Sequence, residues 1–305
     1  MNLKSFLSIP LAICLLCSST FTAAATSDIT NPETEAEIRA YLESSPSATT
    51  TNEYDILKEQ QDSAHAVLDS RTASEQEVED AKEILSFDPV EHFYDLQDKG
   101  KAYLEEQGYP ADQIEAIMEF DGSEDAIYRA SASVTADLLI LDRGISGSRR
   151  YFEAKYIFSW DKVPSFCWTD LISITSDNYY HVRGSGSSKV YYSSTASSNN
   201  KTETLTVDDM PNCYFHGAGV DIPMTKNYSG TIYHALTGHM TVQFDNENGD
   251  IQTGVLGTYV HSTIVHDYSL SASLGFPGNA SAGLNLELRK GMSEMNETGE
   301  IVKVK

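Results

Sequence analysis

Tyr151 to Trp160 reads YFEAKYIFSW, and its alternation is too strict for a helix. Phe152, Ala154, Tyr156, Phe158 and Trp160 fall on one side of an extended chain, with Glu153, Lys155 and Ser159 on the other. Such a stretch is a strand that buries one face, so it demands neighbouring strands and a second layer to pack against.

The chain from about Val134 onward meets that demand. Short β-branched and aromatic runs are broken by Gly, Ser and Asn, with strands predicted near Leu171–Thr175, Thr204–Val207, Tyr214–Ile222, Gly230–Asn246, Ile251–Phe276 and Leu284–Leu288. The run YYHVRGSGSSKVYYSS (Tyr179–Ser194) reads as two strands around a Gly/Ser loop. Many short antiparallel strands with turn signals predict a β-sandwich over 134–305.

The preceding segment, 26–133, reads as helical and acidic. Asn31 is expected to cap a first helix with Pro32 at its first position and Ile38, Tyr41 and Leu42 on its apolar stripe. Ser45–Asn52 has the composition of a linker. A second helix is predicted over Glu53–Asp69, with Tyr54, Leu57, Ala64 and Leu68 along one stripe. Thr72 to Glu75 reads as a capping box for a third. Asp88 opens a fourth that stops at Gly108, Pro110 starts a short fifth with Ile114, Ile117 and Met118 inward, and Ser123 caps a sixth. The expected fold class is therefore α+β, an N-terminal helical segment followed by an antiparallel β-sandwich.

TYVHSTIVHDYSL (Thr258–Leu270) is the most tempting chemistry, because it sets His261, His266 and Asp267 in one β-branched run. A hairpin through Glu247-Asn248-Gly249 would pair Met240 with Leu256 and Leu236 with Val260, so that apolar faces meet. In that register His261 lies on the polar face, opposite Ala235, and His266 on the core side. His239 stands about 13 Å away, four residues at ~3.3 Å each, so no shared coordination sphere forms. The expectation is an ordinary strand, with no metal and no cofactor. DGSED (Asp121–Asp125) and DNENGD (Asp245–Asp250) offer oxygen donors, but the first lacks the glycine and closing glutamate of a calcium loop, and the second has its glycine one place early and reads as a hairpin turn.

Lys4, the apolar run Phe6–Cys17 and Ala23-Ala24-Ala25 form an export signal, with cleavage expected after Ala25 and a secreted or extracellular location. No other stretch reaches the ~20 apolar residues of a spanning helix, so membrane insertion is not expected. Of four cysteines, Cys167 and Cys213 remain, and the oxidising compartment leaves a disulfide between them open beside two free thiols. The net charge is −24, concentrated before Tyr151. A polyanionic partner is disfavoured, which excludes nucleic acid.

Adjacent tyrosines, Tyr179-Tyr180 and Tyr191-Tyr192, each send one ring to either face of a strand. An exposed aromatic face is a binding surface, and Tyr179 and Tyr191 are its candidate residues. Asp170, Asp208 and Asp221 are the carboxylates that a hydrolase reading would have to bring together. The long Ser/Thr-alternating run Leu256–Phe276 raises a third reading, a membrane-inserting hairpin of a pore-forming protein.

YIFSWDKVPSFCWTDLISIT (Tyr156–Thr175) and YLEEQGYPADQIEAI (Tyr103–Ile117) together resemble a family of uncharacterised exported proteins of Gram-positive bacteria. The resemblance implies a helical front before an aromatic strand, and it transfers no activity and no functional residue. A non-catalytic extracellular or cell-envelope binding protein is expected, its partner a cell-wall glycan or another envelope protein. The alternative is a secreted hydrolase acting on cell-wall or glycan material.

Overall fold

A computed structural model describes residues 31–165, 169–209, 216–247, 252–262 and 292–304. The expected export signal, Cys167, Cys213, His266, Asp267 and the expected turn residues Asn248 and Gly249 lie outside the described residues. Residues 31–305 form one compact unit, α+β in class, with six helices and two antiparallel sheets among the described residues.

The helical front follows its capping chemistry. Helix α1 (Glu35–Ser44) starts later than Asn31, because Thr34 and Glu37 form a reciprocal capping box. The segment before it is drawn elsewhere: the Lys155 ammonium donates to Asn31 Oδ1 at 2.7 Å, Pro32 O at 2.5 Å and Glu33 Oε1 at 2.8 Å. Part of the expected linker is a strand, β1 (Thr49–Asn52), which adds to a sheet edge. Helix α2 (Glu53–Asp69) matches expectation and is capped by Asn52, although Leu68 is exposed and the buried stripe is Glu53, Ile56, Leu57, Gln60 and Ala64.

Helix α3 (Glu75–Leu85) takes its box from Ser74 and Glu77, two positions beyond the Thr72–Glu75 expectation. Asp88 caps α4 (Pro89–Glu106), which ends before Gly108 at φ +85°. Pro110 precedes α5 (Ala111–Met118), burying Ile114 and Ile117 while Met118 stays exposed. Ser123 caps α6 (Glu124–Ala130) by accepting from the Ala126 amide.

The larger sheet holds β1, β2 (Ser133–Ser146), β3 (Arg149–Trp160), β11 (Thr231–Asn246), β6 (Ser187–Ser194) and β7 (Ser197–Glu203) in that order, with β5 (Tyr180–His181) and β10 (Thr225–Tyr228) also against β11. The smaller runs β13 (Met292–Lys303), β12 (Gln252–Ser262), β4 (Thr169–Ser176), β9 (Gly217–Pro223) and β8 (Asp208–Asp209). Strands β5 and β6 do occur in the Tyr179–Ser194 run. They pair with β11 and not with each other.

One buried cluster draws on both sheets. Phe152, Ala154, Tyr156, Phe158 and Trp160 of β3 are all in it, as their period required. Ile172 and Ile174 of β4, Val220 and Ile222 of β9, and Val255 and Tyr259 of β12 join them. The opposite face of β3 is partly covered too, since Ile157 packs with Ile38 and Leu42 of α1.

The expected hairpin between β11 and β12 does not form, for the two strands lie in different sheets. Strand β11 already has β3 along residues 237–246 and β6 along 234–241. Strand β12 lies between β4 and β13. Its facing is also opposite to the expectation, with Val255 and Tyr259 entering the shared core. Leu256 and Val260, on the other side, are buried as well. With apolar residues on both sides, alternation could not choose a face. Gly257 sits directly under Tyr156, where a Cβ would meet ring carbon Cδ2 at 2.2 Å.

Candidate functional site

The reversed facing of β12 turns His261 inward, away from the polar face where the hairpin would have set it. Val260 pairs with Leu171, so the next step of the β12–β4 register brings His261 opposite Asp170. His261 Nδ1 lies 2.9 Å from both Asp170 oxygens. The Tyr259 hydroxyl donates to Asp170 Oδ2 at 2.7 Å and accepts from Trp160 Nε1 at 2.9 Å. On the far side, His261 Nε2 is 3.9 Å from Glu53 Oε2. Glu53, the first residue of α2, accepts from the amides of Ala132 at 2.7 Å and Ser165 at 3.0 Å.

All five side chains are wholly buried. Burial alone would push the His261 imidazole down, but the Asp170 carboxylate, by charge and hydrogen bond, and then Glu53 outweigh it and hold it above its ordinary value. Burial raises the Glu53 carboxyl against the pull of His261. Burial, then Asp170, raises Tyr259 well above its ordinary range. Chemically this is an imidazole set between two acidic side chains inside the protein. It ties α2, β3, β4 and β12 together. Among the described residues, no group of three His, Cys, Asp or Glu side chains is arranged to hold a metal ion.

The other carboxylates of the hydrolase reading do not meet Asp170. Asp221 pairs with Leu171 across β4–β9, one residue out of phase, and exposed Asp208 pairs with Gly219. A one-residue offset along a strand sends side chains to opposite faces.

A second place is open to solvent. Cross-strand partners share a face, so the register places Gly144 of β2, Tyr151 of β3, Asp245 of β11 and Tyr180 of β5 in one row on the outer side of the larger sheet. Glu153 and Gln243 form the row behind it. Further along, Lys155 pairs with Thr241, and Ile157 with His239, where α1 and the Asn31–Glu33 segment cover the face. His239 there is pushed down to about 4 by burial and then by Lys155.

The open row is held by its own contacts. Arg149 forks onto Asp245 with Nε–Oδ2 at 2.7 Å and Nη2–Oδ1 at 2.8 Å, a bidentate pair that occupies one of the suspected calcium donors. The Tyr151 hydroxyl donates to Asp142 Oδ2 at 3.1 Å. Its ring lies across Gly144, where a Cβ would come 3.2 Å from the hydroxyl oxygen. Tyr180 is 47% exposed and its ring sits 4.3 Å from that of His216. His216 Nδ1 is in turn 2.9 Å from the Tyr179 carbonyl oxygen.

The tyrosine pairs split between faces as their spacing required. Tyr179 and Tyr192 enter the core, Tyr179 with its ring 5.3 Å from that of Phe152. Tyr191 is half-buried, and its hydroxyl donates to the Glu33 carbonyl. The exposed ring is therefore that of Tyr180, next to the expected Tyr179. Sequence reasoning missed Tyr151 and Arg149 altogether. The single available signal was the end of the alternating run, where Tyr151 falls on the polar side of β3.

No protein-family model matches the chain, and no curated protein matches it. Among solved structures, AvmM, which catalyses macrocyclization in alchivemycin A biosynthesis, aligns at TM-score 0.27 and 9% identity over 56% of this chain and 88% of that one. A pore-forming protein aligns at 0.16 and 11% over 43% and 66%. The collagen-binding domain of the Erysipelothrix rhusiopathiae surface protein RspB aligns at 0.21 and 11% over 57% and 66%. Likenesses of this size carry no argument about what the chain does. No helix among the described residues is long and apolar enough to cross a membrane.

Proposed function

We propose that the chain is an exported, non-catalytic binding protein of the cell envelope, its two sheets packed as an antiparallel sandwich and its partner a wall glycan or another envelope protein. The export signal that ends at Ala25 supports the location. The observation that carries the binding reading is the open row Tyr180–Asp245–Tyr151. It presents two rings and a paired charge on a sheet face, whereas the acid–base group Asp170–His261–Glu53 is spent inside the core. Aromatic rings beside polar groups on an exposed face suit recognition, because the rings give contact area at little entropic cost.

The test is a binding measurement on the protein from Thr26 onward, against isolated wall fragments, a glycan array and envelope protein extracts. Product release and liposome leakage are followed in the same samples. Saturable binding with neither product nor leakage is the expected result. Released product would replace this reading with the hydrolase, and leakage without binding would replace it with the pore former.

A further inference from the structure

We infer that Tyr180 and Tyr151 form a two-ring platform for a linear, uncharged polysaccharide chain, with the Arg149–Asp245 pair between them reading its hydroxyls. The inference rests on the binding reading above and names its site and ligand class. Tyr151 and Tyr180 are the cross-strand neighbours of Asp245 on either side, so their Cα atoms stand two strand spacings apart, about 10 Å, and their rings lean outward from there, Tyr151 over Gly144 and Tyr180 onto His216. That span matches sugar rings that are not adjacent, each with an apolar C–H face on an aromatic ring and at least one further unit lying between them over the Arg149–Asp245 pair.

Asp245 and Arg149 use only part of their capacity on each other. A carboxylate has roughly four acceptor sites and a guanidinium five donors, and the fork consumes two of each. What remains points donors and acceptors in one plane, which suits neighbouring hydroxyl pairs. The pair adds no net charge, and the chain as a whole carries −24. On this face Asp142 and Glu153 stand beside the neutral pair, so an anionic polymer would be repelled and the occupant is neutral.

Both rings are fixed before a ligand arrives. Tyr180 leans on His216, itself tied to the Tyr179 carbonyl, and Tyr151 is held by Asp142 on the side-chain-free surface of Gly144. A pre-ordered ring loses little rotamer freedom on binding. Glu153 and Gln243, half-buried in the row behind, offer further hydrogen-bonding groups to a chain that lies across the strands.

The experiment titrates the protein from Thr26 onward with neutral gluco-, xylo- and N-acetylglucosamine oligosaccharides of increasing length, following heat and tyrosine fluorescence. Affinity for one series should rise up to at least three sugar units and then level off. Tyr180→Ala and Tyr151→Ala should each weaken binding roughly three- to tenfold, and Tyr180→Phe should keep most of it. Thermal melts of the same variants establish that they are folded. Envelope binding that survives both alanine changes, or that prefers an anionic polymer, would overturn the platform while leaving the general binding reading intact. An absence of binding to any envelope preparation would remove both.

Discussion

Asp170 and Asp245 are each a carboxylate set among tyrosines with a cationic partner, and they have opposite fates. Asp170 is wholly buried, with His261, Tyr259 and Trp160 around it. Asp245 lies in an open row, its side chain 21% exposed and that of Arg149 48%. Water explains the difference. Inside, every oxygen must find a protein partner, so the pair becomes architecture. Outside, water substitutes at once, so the same groups remain available to a ligand.

The largest break in that comparison comes from Asp170→Asn. It leaves the His261 proton without its counter-charge in a sealed site, and the expected loss is about 3–5 kcal/mol in urea denaturation. A loss below 1 kcal/mol would mean that the cluster is far wetter than its burial indicates. Gly257→Ala tests the same interior by shape. Its Cβ would collide with the Tyr156 ring, itself in the packed core, and a cost of about 1–3 kcal/mol is expected.

Lys155 is the intermediate case. Its side chain is buried, yet Glu33, one of its three partners, is half-exposed. Lys155→Met should cost about 1–3 kcal/mol and should raise proteolytic nicking near Asn31–Glu33, read by mass spectrometry. Uncut chains would show that the segment is held without the ammonium.

Acid–base titration sharpens the contrast next. His261 binds its proton more tightly folded than unfolded, so its contribution is complete below the ordinary 6.5 and fades as pH rises through the higher folded value. Glu53 acts in the same direction, from 4.5 upward. Glu33 acts the other way. Burial opposes its ionisation, but the Lys155 hydrogen bond and charge prevail, and its contribution is lost as pH falls below 4.5. Urea midpoints should therefore decline as pH rises above 6.5, and His261→Gln should flatten that decline. An equal slope in the variant would point to another group.

The smallest stability effect belongs to the open row. Arg149→Ala should leave the melting temperature within measurement error, because both partners reach solvent. Its effect should appear in ligand binding alone, and a clear drop in melting temperature would make Arg149–Asp245 structural.

Much of the local architecture was legible. The period of β3 placed five side chains in the core, and caps at Asp88 and Ser123 marked helix starts, because those signals depend on residues close in sequence. Capping at Thr34 and Ser74 was misread by a few positions where two polar residues competed for the role. The candidate site was legible only by type. Adjacent tyrosines guaranteed one outward ring per pair without saying which.

What the sequence determined by itself was the α+β class, the net negative charge, and the row of β3 side chains that enters the core. Tertiary structure decided the partners. VLGTYVH is buried on both sides, so its own alternation could not say that β12 leaves β11, turns over, and sets His261 beside Asp170. Nor could any local pattern place Tyr151, Asp245 and Tyr180 in one row, since strands distant in the chain become neighbours only through sheet order. Local rules fix how a residue faces along its own backbone, and pairing between distant segments fixes what it faces.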